Sequence, residues 1–303
     1  MSQADRDEYV RSLVPAARGE YRTAYFGGGT PALCDLWPLL DDVRADEFTV
    51  ELHPLDVTEE LLKILRDGGV NRISMGVQSL DDAVLSAMGR GYTFDDAERA
   101  FALVKRFFDN AGIDLIVGYP GEKAAILPRH ARLRDWGLRH CSVYSLILEE
   151  KTILWRQVRT KGVEGPPDDE TTMDRLTETA RFLATLGLER YEISNYAAPG
   201  YECRHNLAVW RGEDYLGVGE GACGRLGLTR TPSGEVLSPE ADLKERTIFR
   251  LRTREGLDAS RFPEWRDVLR RYCKEGLLTR EGDVYRLTER GREVCDSILA
   301  DLV

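Results

Sequence analysis

The sequence predicts an α/β fold built from repeated strand–helix units, and three observations carry that reading. Short apolar runs recur along the chain, helical stretches with one apolar stripe lie between them, and several runs end in residues suited to a polar ligand. With 303 residues and 42% hydrophobic content, there is room for one barrel-sized domain and a small appendage.

The chain opens with a helical stretch, Arg6 to Ala17. Tyr25-Phe26-Gly27-Gly28-Gly29-Thr30-Pro31 then reads as a strand end that delivers backbone to a ligand. Glycines there let main-chain N–H groups approach a carboxylate or phosphate without a Cβ clash, and Pro31 fixes the turn. An ordinary tight βα turn is the alternative. Further strands are expected at Phe48 to Pro54, ending in the acid Glu51, and at Arg72 to Gln78, ending in an amide. Gly112 to Gly121 carries Asp114 inside an apolar run, and Cys141 to Glu149 is a fifth strand. Between them, Asp56 with Glu59, Ser79 with Asp82 and Thr93 with Asp96 each place an acid three residues after a capping side chain. Gly68 and Gly112 are read as stops. Leu61, Leu62 and Leu65, then Ala97, Phe101, Val104 and Phe108, fall at helical spacing, giving each helix a stripe to lay on a sheet.

In parallel α/β folds ligands sit at the carboxyl ends of strands, so Gly28, Glu51, Gln78 and Asp114 are expected to converge. Each has a structural alternative: an ion pair for Glu51, a helix cap for Gln78, and satisfaction of backbone donors for Asp114.

Composition narrows the function classes. The net charge of -10 offers no general attraction to nucleic acid or an anionic membrane. No stretch approaches about 18 uninterrupted apolar residues, and Met1 to Glu8 is too acidic and polar for a signal peptide, so the chain reads as cytoplasmic without an integral membrane segment. The six cysteines, Cys34, Cys141, Cys203, Cys223, Cys273 and Cys295, are scattered with no CxxC. A local metal site is disfavoured, and free, mostly buried thiols are expected.

Taken together, the motifs resemble those of radical S-adenosylmethionine (SAM) proteins of the coproporphyrinogen III dehydrogenase (HemN) type, closest to their heme-chaperone branch, HemW. The matching pieces, in order, are FGGGTP (Phe26 to Pro31), VNRISMGVQS (Val70 to Ser79), MGR (Met88 to Arg90), DLIVGYPG (Asp114 to Gly121), YEISNY (Tyr191 to Tyr196), PGYECRHNLAVW (Pro199 to Trp210), DYLGVG (Asp214 to Gly219) and LRTREGL (Leu251 to Leu257). The resemblance implies a partial (β/α)6 barrel of the radical SAM type, lacking its first strand. It also implies a SAM site in which Gly28, Gly29 and Thr30 contact the methionyl amino end while Glu51, Gln78, Arg90 and Asp114 hold the ribose and carboxylate. Those roles suit the chemistry, since carboxylates accept from hydroxyls and an amino group, and arginine forks onto a carboxylate. The family binds a [4Fe-4S] cluster through a CxxxCxxC motif that this sequence does not contain. No cluster ligand and no radical chemistry are therefore assigned, whether the motif belongs to a missing N-terminal segment or the chain is a cluster-free descendant.

Cys203 to Trp210 resembles the HNxxYW heme signature of the chaperone branch, with Val209 where tyrosine is usual. The resemblance makes His205 an axial heme ligand, with Trp210 flanking the porphyrin; His53, His130 and His140 are read as structural. Gly219 to Gly224 spells GxGxxG, but no amphipathic helix follows it, so it is read as a close backbone approach and not a dinucleotide fingerprint. From Leu243 onward the order is helix, helix, hairpin, helix, a winged-helix-like α+β module. Its basic and acidic residues nearly balance, which favours packing or partner docking over DNA binding.

The expected organisation is an incomplete radical SAM barrel over 1–165, a family-specific region with the HNLAVW motif over 166–240, and the winged-helix-like module over 241–303. Three functions remain open: a HemW-like protein of heme metabolism, in heme delivery or porphyrinogen oxidation, with heme-acceptor proteins as partners; a cluster-free, non-catalytic heme-binding protein; and a winged-helix regulator. Family members are oxidoreductase-like, and without the cluster motif this chain alone is expected to be inactive.

Overall fold

In the computed structural model, which describes residues 2–123, 127–160 and 162–303, the chain divides into two compact units. The first comprises the chain to Glu189 with Ser194–Glu202; the second comprises Arg190–Ile193 with Cys203–Val303.

The first unit begins with helix α1 (Gln3–Ala17), closed by a Ser2/Asp5 capping box, and strand β1 (Gly19–Phe26). There follow α2 (Trp37–Asp42), β2 (Val43–Leu52), α3 (Glu59–Asp67), β3 (Arg72–Gln78), α4 (Asp82–Ala87), α5 (Phe94–Lys105) and β4 (Asn110–Val117). After α6 (Leu127–Arg132) come β5 (His140–Ser145), α7 (Ile153–Thr160), α8 (Asp169–Thr185), β6 (Glu189–Arg190) and β7 (Asn195–Ala197). The strands form one seven-stranded sheet in the order β1-β2-β3-β4-β5-β7-β6. β1 through β5 are mutually parallel and β7 joins β5 antiparallel, giving the curled half-barrel that the repeated βα pattern implies. Its outer face is apolar. Phe48, Val50, Ile73, Met75, Ile113, Leu115 and Val143 pack there with Leu62 and Leu65 of α3 and Ala97, Phe101 and Val104 of α5. Trp136 stacks on both Phe94 and Phe101 at 5.5 and 5.1 Å.

Local signals were partly displaced. The Thr93/Asp96 capping box closes α5 as expected, but α3 is capped by Thr58 and α4 by Asp81, because the residue adjoining the first turn reaches the free amides better than Asp56 or Ser79. Gly68 does end α3. Gly112 lies inside β4, where a Cβ would stand 2.7 Å from the His140 carbonyl; the glycine serves close strand approach and not helix termination. The fifth strand stops at Ser145, short of Glu149.

In the second unit, α9 (Arg204–Trp210) precedes a hairpin of β8 (Gly224–Leu226) and β9 (Thr229–Thr231). The GxGxxG segment leads into that hairpin, and a Cβ on Gly217 would stand 2.2 Å from the Cys223 carbonyl, a close backbone approach. Then come α10 (Pro239–Phe249), β10 (Leu257–Asp258), α11 (Arg266–Lys274), β11 (Leu278–Glu281), β12 (Val284–Leu287), α12 (Glu289–Glu293) and α13 (Cys295–Ala300). β10, β12 and β11 make a three-stranded sheet over a core of Leu251, Leu257, Trp265, Leu269, Tyr285 and Ile298. The two helices and the wing hairpin match the expected winged-helix order; the short strand β10 is an addition.

Phe101 is 1% exposed and contributes to this stack, so Phe101→Ala is expected to lower unfolding free energy by about 3–5 kcal/mol. Leu55, 55% exposed, is expected to change it by less than about 0.5 kcal/mol when made alanine. Urea denaturation of both variants checks the pair.

Candidate functional site

Side chains alternate along a strand, so in-register partners share a face. Tyr25 pairs with Thr49, Thr49 with Arg72, Glu51 with Ser74, Ser74 with Gly112, Gly76 with Asp114, and Asp114 with Ser142. These positions form one polar face across all five parallel strands, opposite the apolar face on the helices. Thr49, Arg72, Ser74 and Ser142 are buried on it.

At the carboxyl ends of the strands this face opens into a cleft of about 450 Å³, whose lining includes Tyr25, Gly29, Thr30, Glu51, Gln78, Arg90 and Asp114 together with Ile116, Tyr144, Leu146 and Ile147. Six of the seven residues expected at the SAM site therefore meet at one place. The seventh, Gly28, acts a step back, its N–H donating to Glu51 Oε2 at 3.2 Å. The Tyr25 hydroxyl donates to Glu51 Oε1 at 2.8 Å, so the carboxylate is aimed by two donors from the β1 end. Gly27 permits this approach, since a Cβ there would stand 2.9 Å from the Glu51 carboxyl carbon. Burial, and then the charges of Glu51 and Asp114, push the Tyr25 phenol far up, keeping it a donor.

Asp114 accepts from the Ser74 hydroxyl at 3.1 Å and from Ser142. Burial pushes its carboxyl up to about 6, and the Glu51 charge adds to the rise against the two hydroxyls and Arg72. Gln78 has φ 65, at a register shift between β3 and β4. The bulge re-aims its side chain. Gly76 leaves space for it, because a Cβ there would stand 2.5 Å from Gln78 Nε2. Arg90 follows α4 in the MGR turn, and its buried Nε has no hydrogen-bond partner among the described residues.

Tyr25, Ser74, Ser142 and Tyr92, whose hydroxyl bonds the backbone beside Gln78, escaped sequence reasoning. The period-two polar spacing of Arg72 with Ser74, and of Ser142 with Tyr144, held the signal for the two serines, and Tyr25 stands in the run that leads into the three glycines. Nothing local marks Tyr92.

A second cleft, about 420 Å³, lies in the C-terminal unit among Val209, Trp210, Tyr215, Cys223, Pro232 and Phe249, with Arg225, Arg230, Glu235 and Glu245 at its polar edge. Trp210 meets Phe249 edge-on at 6.2 Å and carries the Arg252 guanidinium 4.6 Å over its ring. Arg225 pairs with Asp242 and Glu245, and Arg230 with Glu235 and Glu245. His205 does not line this cleft; it stands four residues before Val209, on the same face of α9. Elsewhere, burial lowers His130 to about 4 as it stacks on Phe182, and it holds His140 well below the usual range.

These residues fit SAM. The unpartnered Arg90 Nε suits a ligand carboxylate, Glu51 and Asp114 suit an amino group and hydroxyls, and the apolar wall suits a flat base. They do not fit a [4Fe-4S] cluster. All six cysteines are free and dispersed, with Cys141, Cys203 and Cys295 buried, and no group of three His, Cys, Asp or Glu side chains that would hold a metal occurs among the described residues.

Comparison with known proteins agrees with the fold and motifs. Profiles of the Radical SAM superfamily and of the HemN C-terminal domain match residues 1–133 and 237–294. The heme chaperone HemW of Lactococcus lactis is 30% identical over 338 aligned positions, covering 96% of this chain and 88% of that one. The heme chaperone HemW of Escherichia coli is 31% identical, covering 98% and 90%. Among solved structures, coproporphyrinogen III oxidase (HemN) of Escherichia coli superposes with a TM-score of 0.80 at 20% identity, covering 99% of this chain and 84% of that one, a likeness of fold. With this identity sustained across nearly the whole chain, and a half-barrel matching that fold, the protein belongs to the HemW family of radical SAM proteins.

Proposed function

We propose that this HemW-like protein of heme metabolism binds SAM in the half-barrel cleft and heme at the HNLAVW helix. The observation that carries the first part is the convergence of Gly29, Thr30, Glu51, Gln78, Arg90 and Asp114 on one cleft, where the Arg90 Nε has no hydrogen-bond partner among the described residues. Arg90 would take the ligand carboxylate, Glu51 and Asp114 its amino group and ribose hydroxyls, and Gln78 a further polar contact. In the radical SAM family, SAM held on a [4Fe-4S] cluster is the source of a radical; here the chain's own part is to bind and orient. In the sequence-based division, 1–165 carries the SAM cleft and 166–240 the heme motif, leaving 241–303 for packing or docking of an acceptor protein.

His205 supports the heme reading through its place on α9. An imidazole one turn before Val209 and Trp210, beside a cleft walled by aromatic rings, has the parts of a porphyrin contact: an axial nitrogen and an apolar face.

SAM should bind this chain with an affinity around the millimolar range, corresponding to about 4 kcal/mol. Arg90→Ala and Asp114→Ala should each weaken it about tenfold or more, as read by calorimetry; equal affinity in a variant removes that residue from the site.

Asp114 also makes stability depend on pH. Its carboxyl titrates higher in the folded chain than the ordinary 3.8, so between about pH 4 and 6 the folded state holds a proton that the unfolded state has lost, and stability falls as pH rises through that window. Asp114→Asn should therefore be more stable than the parent at pH 7, by about 1–2 kcal/mol, with the difference shrinking toward pH 4. Thermal melts at both pH values check it.

Ferric heme added to the protein should give a shifted Soret band that His205→Ala changes without loss of fold, and Val209→Tyr should tighten binding. An unchanged spectrum in His205→Ala would make that histidine structural.

A further inference from the structure

Gln78 sits in a backbone conformation that an L-residue with a long side chain rarely adopts. Its φ is 65, and the Ser79 N–H donates to the Val77 carbonyl at 2.8 Å, closing a three-residue turn around it. With positive φ at the centre this is the rarer, strained form of that turn. Some other contact must hold it.

The contact is Tyr92, which does not itself line the cleft. Its single hydroxyl proton is shared between the carbonyls of Gly76 and Val77, each 2.9 Å from the oxygen, the two carbonyls that lead into Gln78. The ring is 5% exposed and meets His53 edge-on at 5.0 Å, and His53 lines the same cleft from the end of β2. Tyr92 is thereby pinned on one side and bonded to the bulge on the other. Burial raises its phenol to about 12, so it remains a donor at ordinary pH.

We propose that Tyr92 is a positioning residue: its hydroxyl holds the Gly76–Val77 backbone so that Gln78 keeps its left-handed conformation and presents its amide to the ligand in the half-barrel cleft. The functional consequence rests on reading that cleft as a SAM site; the backbone consequence does not.

Tyr92→Phe in the full chain deletes the hydroxyl and keeps the ring against His53. Amide exchange at Ser79 should quicken about fivefold or more, and SAM affinity should fall by about fivefold, the size expected for one lost hydrogen bond. Adding Gln78→Ala should show that the losses do not add, the double variant binding SAM no more weakly than Gln78→Ala alone. Unchanged Ser79 exchange, or losses that add, would overturn the proposal. Should the parent take up no SAM, the SAM reading fails, and Ser79 exchange alone decides for or against Tyr92. Should Tyr92→Phe not fold, Gln78→Gly with Tyr92→Phe replaces it: glycine takes φ 65 without strain, so folding of that double variant supports the role, and its failure to fold overturns it.

Discussion

Burial of polar side chains on one face of a parallel sheet is the constraint on which the N-terminal unit depends. Parallel strands buried on both faces usually read as continuous apolar runs. Here they alternate instead, with Phe48, Val50, Ile73, Met75 and Ile113 outward against the helices and Thr49, Glu51, Arg72, Ser74 and Asp114 inward. Each inward polar group must find a partner or face a ligand. The Tyr25 hydroxyl and the Gly28 amide meet Glu51, and Ser74 and Ser142 meet Asp114. At the cleft itself, Arg90 brings in a buried Nε that has no hydrogen-bond partner among the described residues.

That arrangement sets stability against binding. A carboxyl held up to about 6 by burial destabilises the fold once ionised, yet in that state it can accept from a ligand's amino group or hydroxyls. The strained turn at Gln78 has the same character, a local cost borne by surrounding contacts at a place where the side chain must point inward. Both departures from local preference fall at the cleft, where a functional site is expected to break the rules followed elsewhere in the sheet.

Within the C-terminal unit the organisation is different. A core of Leu257, Trp265, Leu269, Tyr285 and Ile298 closes under a three-stranded sheet, and the hairpin is tied to α10 by Arg225 and Arg230 reaching Asp242 and Glu245. Trp210 and Val209 of the HNLAVW helix border a cleft there while His205 stands one turn back. The motif's letters thus supply a wall and a neighbouring imidazole rather than one compact set of ligands.

The sequence by itself determined the order of βα units, the apolar stripes of α3 and α5, and the residues at strand ends, because period, capping and glycine placement are local properties that pattern reveals. Of the four residues read from strand ends, Glu51, Gln78 and Asp114 do share one cleft, and Gly28 stands behind Glu51. Tertiary structure alone decided which hydroxyls serve them. Tyr92 reaches β3 from sixteen residues beyond Gly76, and Asp114 meets Ser74 across forty, distances along the chain at which no spacing rule operates. It also decided the reading of Gly112, a stop signal by its letter and a strand residue by its neighbour, His140. Such contacts depend on strand register and on the curl of the sheet, which exist only once the whole half-barrel has closed on its core.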